Sequence, residues 1–375
     1  MNKKILYVIT RSEWGGAQKH LLDIVIGMKT KGLSPIVAVG DEGDLTRELE
    51  KNNVEFYIIN NLVHQISLKQ DLKAILELRN LIKQINPSII HLHSSKAGLI
   101  GRIATKVSNY RIPVIFTAHG WGFTPGSKKI NKYISLLSEL LTSWMLNKVI
   151  CVSKFDQELA EKYHIISKKK LTYVYNGISK DMNVDLVEID KKREKVSFTM
   201  VARFDSQKDY LTLVKAIEKL KNNKEIYNQI QFNFVGKGPL YEEIQKEIIN
   251  RKIDDIVNLL GFRNDILEII NQSDVFVLTS NYEGLPISII EAMSLEKPLI
   301  VSDVGGVREL IDKNGFLIAK GKNEIKNIGK AIVQLTSDDR LRVEMGGNSL
   351  SIFQNKFTLE QCVNNTEKIY KNYIE

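Results

Sequence analysis

Residues 275–293 read Val275-Phe-Val-Leu-Thr279-Ser-Asn-Tyr-Glu283-Gly284-Leu285-Pro286-Ile-Ser-Ile-Ile-Glu291-Ala-Met293. Residues 275–279 form a short apolar run that predicts a buried strand. A loop follows, and Pro286 is expected to open a helix, where its missing N–H costs nothing. The free amides and positive dipole end of such a helix suit a phosphate. Glu283 stands in the loop and Glu291 further along the helix. Both carboxylates can accept hydrogen bonds from sugar hydroxyls. A strand running into a ligand-binding helix start is the unit of a doubly wound α/β fold, which binds ligands at the carboxyl ends of its strands.

The same alternation covers the rest of the chain. Strands are expected at 5–10, 35–39, 55–59, 88–93, 113–118, 148–152 and 171–174, with amphipathic helices between them. Residues 181–195 are polar and lack periodicity, so they read as a linker. The pattern restarts with strands at 196–201, 231–235, 256–260, 275–279, 298–302 and 315–318, and two helical segments close the chain. The expected architecture is two doubly wound Rossmann-like domains facing a central cleft. Their boundaries are 1–180, a linker at 181–195, a second domain at 196–355, and a helix at 356–375 crossing back to the first domain.

Composition narrows the function. The 375 residues are 43% hydrophobic and 26% charged, which is globular and not disordered. Cys151 and Cys362 are too few for a disulfide framework, so a reducing compartment fits. The start resembles the basic region of a signal peptide, but its apolar run soon meets Arg11 and Glu13. No transmembrane helix is expected. The net charge is +9, and it is uneven: residues 1–180 carry +12 and residues 181–375 carry −3. Such asymmetry points to an anionic partner, whether nucleic acid, membrane surface or phosphate-bearing substrate.

Several strand ends carry candidate chemistry. Arg203 and Lys208 flank the loop after strand 196–201, and two cations there can neutralise a diphosphate. Gly15 and Gly16 follow the first strand and allow close backbone approach, but the third glycine of a dinucleotide fingerprint is missing. Gly236, Arg263 and the Gly305-Gly306 pair also sit at strand ends. His119 ends strand 113–118. His91 and His93 flank Leu92 and are expected on opposite faces, which argues against a shared metal ion. His93 ends its strand, and Lys96 opens the following helix, where it could meet an acceptor phosphate. The chain has no Asp-x-Asp motif and no Cys/His spacing that suggests zinc.

The Glu-Gly-Leu-Pro-x-x-x-x-Glu-Ala-Met run, Arg203-x-x-x-x-Lys208 and the order of the other motifs resemble the family 4 glycosyltransferases of the GT-B fold over essentially the whole chain. The resemblance implies that Glu283 contacts the donor sugar and Glu291 the nucleotide ribose. The free amides after Gly284 would hold the diphosphate, with Gly284, Leu285 and Pro286 forming the loop around it, and Arg203 and Lys208 would clamp it. His119 matches the family's sugar-contacting histidine. Gly15, Gly16, Gly236 and Arg263 fall on donor-side loops. The implied activity is metal-independent, retaining transfer of a hexose or N-acetylhexosamine from a nucleotide sugar, most simply UDP-linked, with no cofactor. The Thr-Ala-His-Gly-Trp-Gly-Phe stretch is similar to members that build bacterial surface polysaccharide. That implies a lipid-linked (polyprenyl diphosphate) glycan acceptor and a cytoplasmic, peripheral position on the inner face of the membrane. An epimerase or phosphorylase of the same fold, a transferase using a soluble acceptor, and a nucleic-acid binder are the alternatives. The last lacks the interleaved basic and aromatic residues of a recognised module.

The basic excess concentrates at residues 83–180, with 15 Lys/Arg against 4 Asp/Glu. Lys128, Lys129 and Lys132 lie at the start of a helix bearing Ile130, Tyr133, Ile134, Leu137, Leu140, Leu141 and Trp144. A basic, apolar helix can lie on an anionic bilayer. The same stripe could instead face the domain core.

Overall fold

The computed structural model describes residues 3–127, 129–180 and 195–374. The linker expected at 181–195 therefore lies, but for Lys195, outside the described residues, as do Lys128 and the side chain of Lys129. The chain divides into two compact units. One is Met1–Gly177 with Leu359–Glu375, and the other is Ile178–Thr358.

The first unit is built on strands β1 (Lys4–Ile9), β2 (Ser34–Val39), β3 (Glu55–Ile58), β4 (Ile89–His93), β5 (Val114–Ala118), β6 (Lys148–Cys151) and β7 (Leu171–Tyr173). Its helices are α1 (Gly16–Thr30), α2 (Asp44–Lys51), α3 (Leu68–Ile85), α4 (Ser95–Val107), α5 (Lys129–Thr142) and α6 (Lys154–Lys162). The sheet is parallel in the order β3-β2-β1-β4-β5-β6-β7. Side chains alternate across a strand, so β1 feeds two cores. Leu6 and Val8 pack with residues of α3 and α4, while Ile5, Tyr7 and Ile9 pack with residues of α1 and α2. Near-continuous apolar strands follow from burial on both faces.

The second unit contains β8 (Val196–Val201), β9 (Ile230–Val235), β10 (Val257–Gly261), β11 (Val275–Leu278), β12 (Leu299–Ser302) and β13 (Gly315–Ile318). They form a parallel sheet ordered β10-β9-β8-β11-β12-β13. The helices are α7 (Tyr210–Leu220), α8 (Lys224–Asn228), α9 (Tyr241–Asn250), α10 (Ile266–Asn271), α11 (Ile287–Ser294), α12 (Glu324–Ser337) and α13 (Asp339–Lys356). The short α8, capped by Asn223, has too few residues to show a period in the sequence.

The last helix, α14 (Leu359–Ile374), packs in the first unit, against α1. Gly27 makes room for it: a Cβ there would stand 2.4 Å from a methyl of Val363. Lys31 pairs with Glu367 at 2.8 Å, and Tyr370 is buried beside Tyr7 and His91. Among the described residues no helix is long and apolar enough to cross a membrane.

Candidate active site

In each sheet the strand order reverses at one point, between β1 and β4 and between β8 and β11. A crevice forms there at the carboxyl ends, because the two following connections leave in opposite directions. Most of the loops singled out in the sequence leave these four strands and β5, while Gly236, Arg263 and Gly305-Gly306 follow β9, β10 and β12.

In the second unit, the loop after β8 carries Arg203 and Lys208, and the loop after β11 carries Glu283. Lys208 and Glu283 form an ion pair, with side chains 17% and 6% exposed. Ser280 Oγ donates to Glu283 Oε1 at 2.7 Å, and Gln207 Nε2 donates to Oε2 at 3.3 Å. Gln207 also donates to the Tyr282 carbonyl at 3.0 Å and accepts, through its own carbonyl, from Asn281 N at 2.8 Å. The two loops are thereby stitched together, and Glu283 is held by three donors. Sequence reading did not single out Gln207 and Ser280. Their signal was adjacency to Lys208 and Glu283 and nothing more.

Arg203 behaves differently. It is 60% exposed and lies 3.4 Å from Asp205, so its guanidinium faces water beside the buried pair. Pro286 caps α11 and does not occupy its first turn: the helix begins at Ile287, with Pro286 extended at φ −65°, ψ 124°. The expected opening of the helix moves by one residue. Gly284, Leu285 and Pro286 are buried, and Glu291 is partly exposed on α11. Gly305 backs the loop at φ +55°, where a Cβ would lie 1.9 Å from the Glu283 carbonyl oxygen. Gly236, at φ +142°, similarly lies against the Ala202 carbonyl, 2.0 Å from where a Cβ would be. Arg263 is on the surface, with Nε donating to Asp265 at 2.7 Å.

In the first unit, Gly15 caps α1 in extended backbone, and Gly16 is the first residue of that helix. His119 follows β5 and is partly exposed. His93 ends β4 and is fully buried, its Nδ1 2.9 Å from His119 Nε2. The expectation that His91 and His93 point to opposite faces is wrong. Residues two apart on a strand share a face, and the ring centroids are 4.3 Å apart. His20, from α1, joins them, with ring centroids 4.9 Å from His119 and 5.9 Å from His93. No sequence spacing announces this group; three separate segments bring it together. Burial lowers the His20 pKa to about 4 and the His91 pKa to about 3, and it takes His93 and His119 well below the usual histidine range. Repulsion between neighbouring imidazoles adds to the effect for His91, His93 and His119. All four are therefore neutral at pH 7. Lys96 is already engaged, 2.6 Å from Asp71 and donating to the Gln65 carbonyl.

The face of α5 settles where its apolar stripe points. Glu139 faces inward and pairs with the buried Arg102 of α4 at 2.8 Å, with side chains 5% and 0% exposed. Arg102 also donates to Thr142 Oγ1 and the Gly98 carbonyl, both at 2.8 Å. This polar anchor sets the helix rotation. Ile130, Tyr133, Ile134, Leu137 and Leu141 are then turned out, and Trp144, which lies in the turn Ser143–Met145 after α5 and not on the helix as expected, is exposed beside them, all at least half exposed. Lys106 sits over the Trp144 ring, 5.3 Å from its centroid. The reading in which the stripe faces the core does not hold.

Comparison with known proteins identifies the family and the fold. Residues 14–181 match the family described as Glycosyltransferase Family 4, and residues 182–351 match Glycosyl transferases group 1. A relative from Escherichia coli, UDP-Gal:alpha-D-GlcNAc-diphosphoundecaprenol alpha-1,3-galactosyltransferase, is 32% identical over 346 residues, covering 89% of this chain and 88% of the relative. The capsular polysaccharide biosynthesis glycosyltransferase CapM of Staphylococcus aureus is 23% identical over 380 residues, 93% of this chain and 99% of CapM. In fold, the chain superposes on Anabaena HepE, solved with UDP and glucose, with a TM-score of 0.84 at 19% identity, covering 99% of this chain and 100% of that one. The doubled parallel sheets, the loops at their switch points and the full-length kinship together make this chain a glycosyltransferase of family 4, with the two Rossmann-like domains of the GT-B fold.

Proposed function

We propose that the protein is a retaining, metal-independent transferase. It moves a hexose or N-acetylhexosamine from a UDP-linked donor to a polyprenyl-diphosphate-linked glycan during synthesis of a cell-surface polysaccharide. The observation that carries this reading is the buried Lys208–Glu283 pair at the β8/β11 switch point. As the sugar leaves its nucleotide, negative charge grows on the diphosphate and positive charge on the sugar. Lys208, Arg203 and the amides around Pro286 stabilise the first, an electrostatic contribution that needs no metal. Glu283 orients the sugar, and Glu291 takes the ribose hydroxyls. His119, neutral and partly exposed, offers a hydrogen bond to the sugar without adding charge.

The lipid-linked acceptor is supported by the name of the Escherichia coli relative, which specifies an undecaprenol-linked substrate, and by the name of CapM. The outward stripe of α5 supports docking on the anionic inner face of the cytoplasmic membrane. A contiguous exposed apolar patch of this kind is unusual on a soluble surface, and the positive residues of the unit complement the lipid charge.

The test is transfer from a panel of UDP-, GDP- and dTDP-sugars to an undecaprenyl-diphosphate-linked N-acetylglucosamine and to free N-acetylglucosamine. UDP-dependent elongation of the lipid-linked acceptor, with the donor's anomeric configuration kept and the rate unchanged by EDTA, is expected. A strict Mg²⁺ requirement would remove the electrostatic clamp. Conversion of the donor sugar without any acceptor would mark an epimerase instead.

A further inference from the structure

Four of the chain's six histidines meet at the carboxyl end of the first sheet, and the proposed chemistry uses only His119. His91 is saturated, with its ring nitrogens on Tyr370 and Thr117. His93 is not. His93 is fully buried, and its Nε2 has no hydrogen-bond partner among the described residues. A buried polar atom left without a partner costs about 1–3 kcal/mol unless a ligand satisfies it.

We propose that His20, His93 and His119 form a binding site for a borderline-soft divalent cation of the Zn²⁺ class. Three imidazoles on one tetrahedral Zn²⁺, with bonds of about 2.0–2.1 Å, place their ring centroids about 5 Å apart and their nitrogens about 3.4 Å apart. The three centroid distances are 4.9, 5.2 and 5.9 Å. One potential ligand nitrogen from each ring lies within 4.8 Å of the others. Small side-chain rotations therefore bring three nitrogens to ligation distance. The partial exposure of His119 leaves an entry path and an open coordination position. This is not a catalytic metal. It is a site where a metal competes with the sugar for His119, a consequence that rests on the sugar-facing role assigned above.

Full-length protein, treated with chelator and desalted, should bind one equivalent of Co²⁺ with the visible absorption of a low-coordinate site, and one equivalent of Zn²⁺ should displace it. His93→Phe and His119→Ala should each weaken Zn²⁺ binding at least about tenfold. A His64→Ala/His164→Ala protein, altered only at the two histidines outside the cluster, should bind like the parent. No Co²⁺ or Zn²⁺ binding by the parent, or equal binding by folded His119→Ala, overturns the site. His119 is partly exposed, so that variant keeps the test decisive if His93→Phe fails to fold. Transfer should fall as the site fills with Zn²⁺. Stoichiometric binding with transfer unchanged would keep the metal site and remove His119 from the sugar.

Discussion

Lys208 and Glu283 neutralise each other in a place where little water reaches them, so either one alone would be a buried, uncompensated charge. Removing one partner of such a pair costs up to about 3–5 kcal/mol, and removing an electrostatic contact to the transition state costs about 10²–10³ in rate. Glu283→Ala and Lys208→Ala should both abolish transfer and lower the unfolding midpoint. The double variant Lys208→Met/Glu283→Gln should recover much of the stability and none of the activity. Chemical denaturation and transfer assays on the three proteins separate the two roles. Recovered transfer in the double variant would sink the site assignment. Gly305 tests the same loop from behind. A methyl at φ +55° against the Glu283 carbonyl must push the loop away, so Gly305→Ala should cost about 1–3 kcal/mol and reduce transfer, although residue 305 is given no contact with substrate.

At the scale of the element, α5 shows most of its apolar residues to solvent. Its inward side holds Leu136 and Glu139, the latter paired with Arg102 of α4, and its outward side holds Leu137 and Leu141, with Trp144 exposed in the turn that follows. Glu139→Ala should cost about 3–5 kcal/mol, because Arg102 is left charged and buried. Leu137→Ser with Leu141→Ser should change stability by less than about 0.5 kcal/mol per site, as exposed positions do. The same pair should weaken sedimentation with anionic vesicles about tenfold or more, since each leucine inserted into the interface contributes about 1.5–3 kcal/mol. Equal vesicle binding by parent and variant would reject α5 as the membrane contact. The sequence reading found the stripe but not its direction. Periodicity reports that apolar residues share a face. Whether that face looks inward depends on what the opposite face bonds to, here an arginine 37 positions away.

For the whole molecule, the chain ends in the unit where it began. α14 completes the core around Tyr7, Val25 and His91. Deleting residues 359–375 should therefore lower the melting temperature of the first unit and leave the second nearly unchanged. Two-phase thermal unfolding followed by limited proteolysis would read this out. Equal loss in both units would contradict the division.

The sequence by itself determined a great deal. Apolar runs of strand length with helices between them specify parallel sheets, because only strands buried on both faces read that way. The Glu283–Glu291 and Arg203–Lys208 spacings place candidate residues after strand ends, because local order along one chain is what a motif records. Tertiary structure decided what distant segments do to one another. It buried Lys208 against Glu283 and turned the apolar face of α5 outward. It also drew His20, His93 and His119 from three segments into contact. No periodicity or spacing carries such facts, because they arise from packing between residues tens of positions apart.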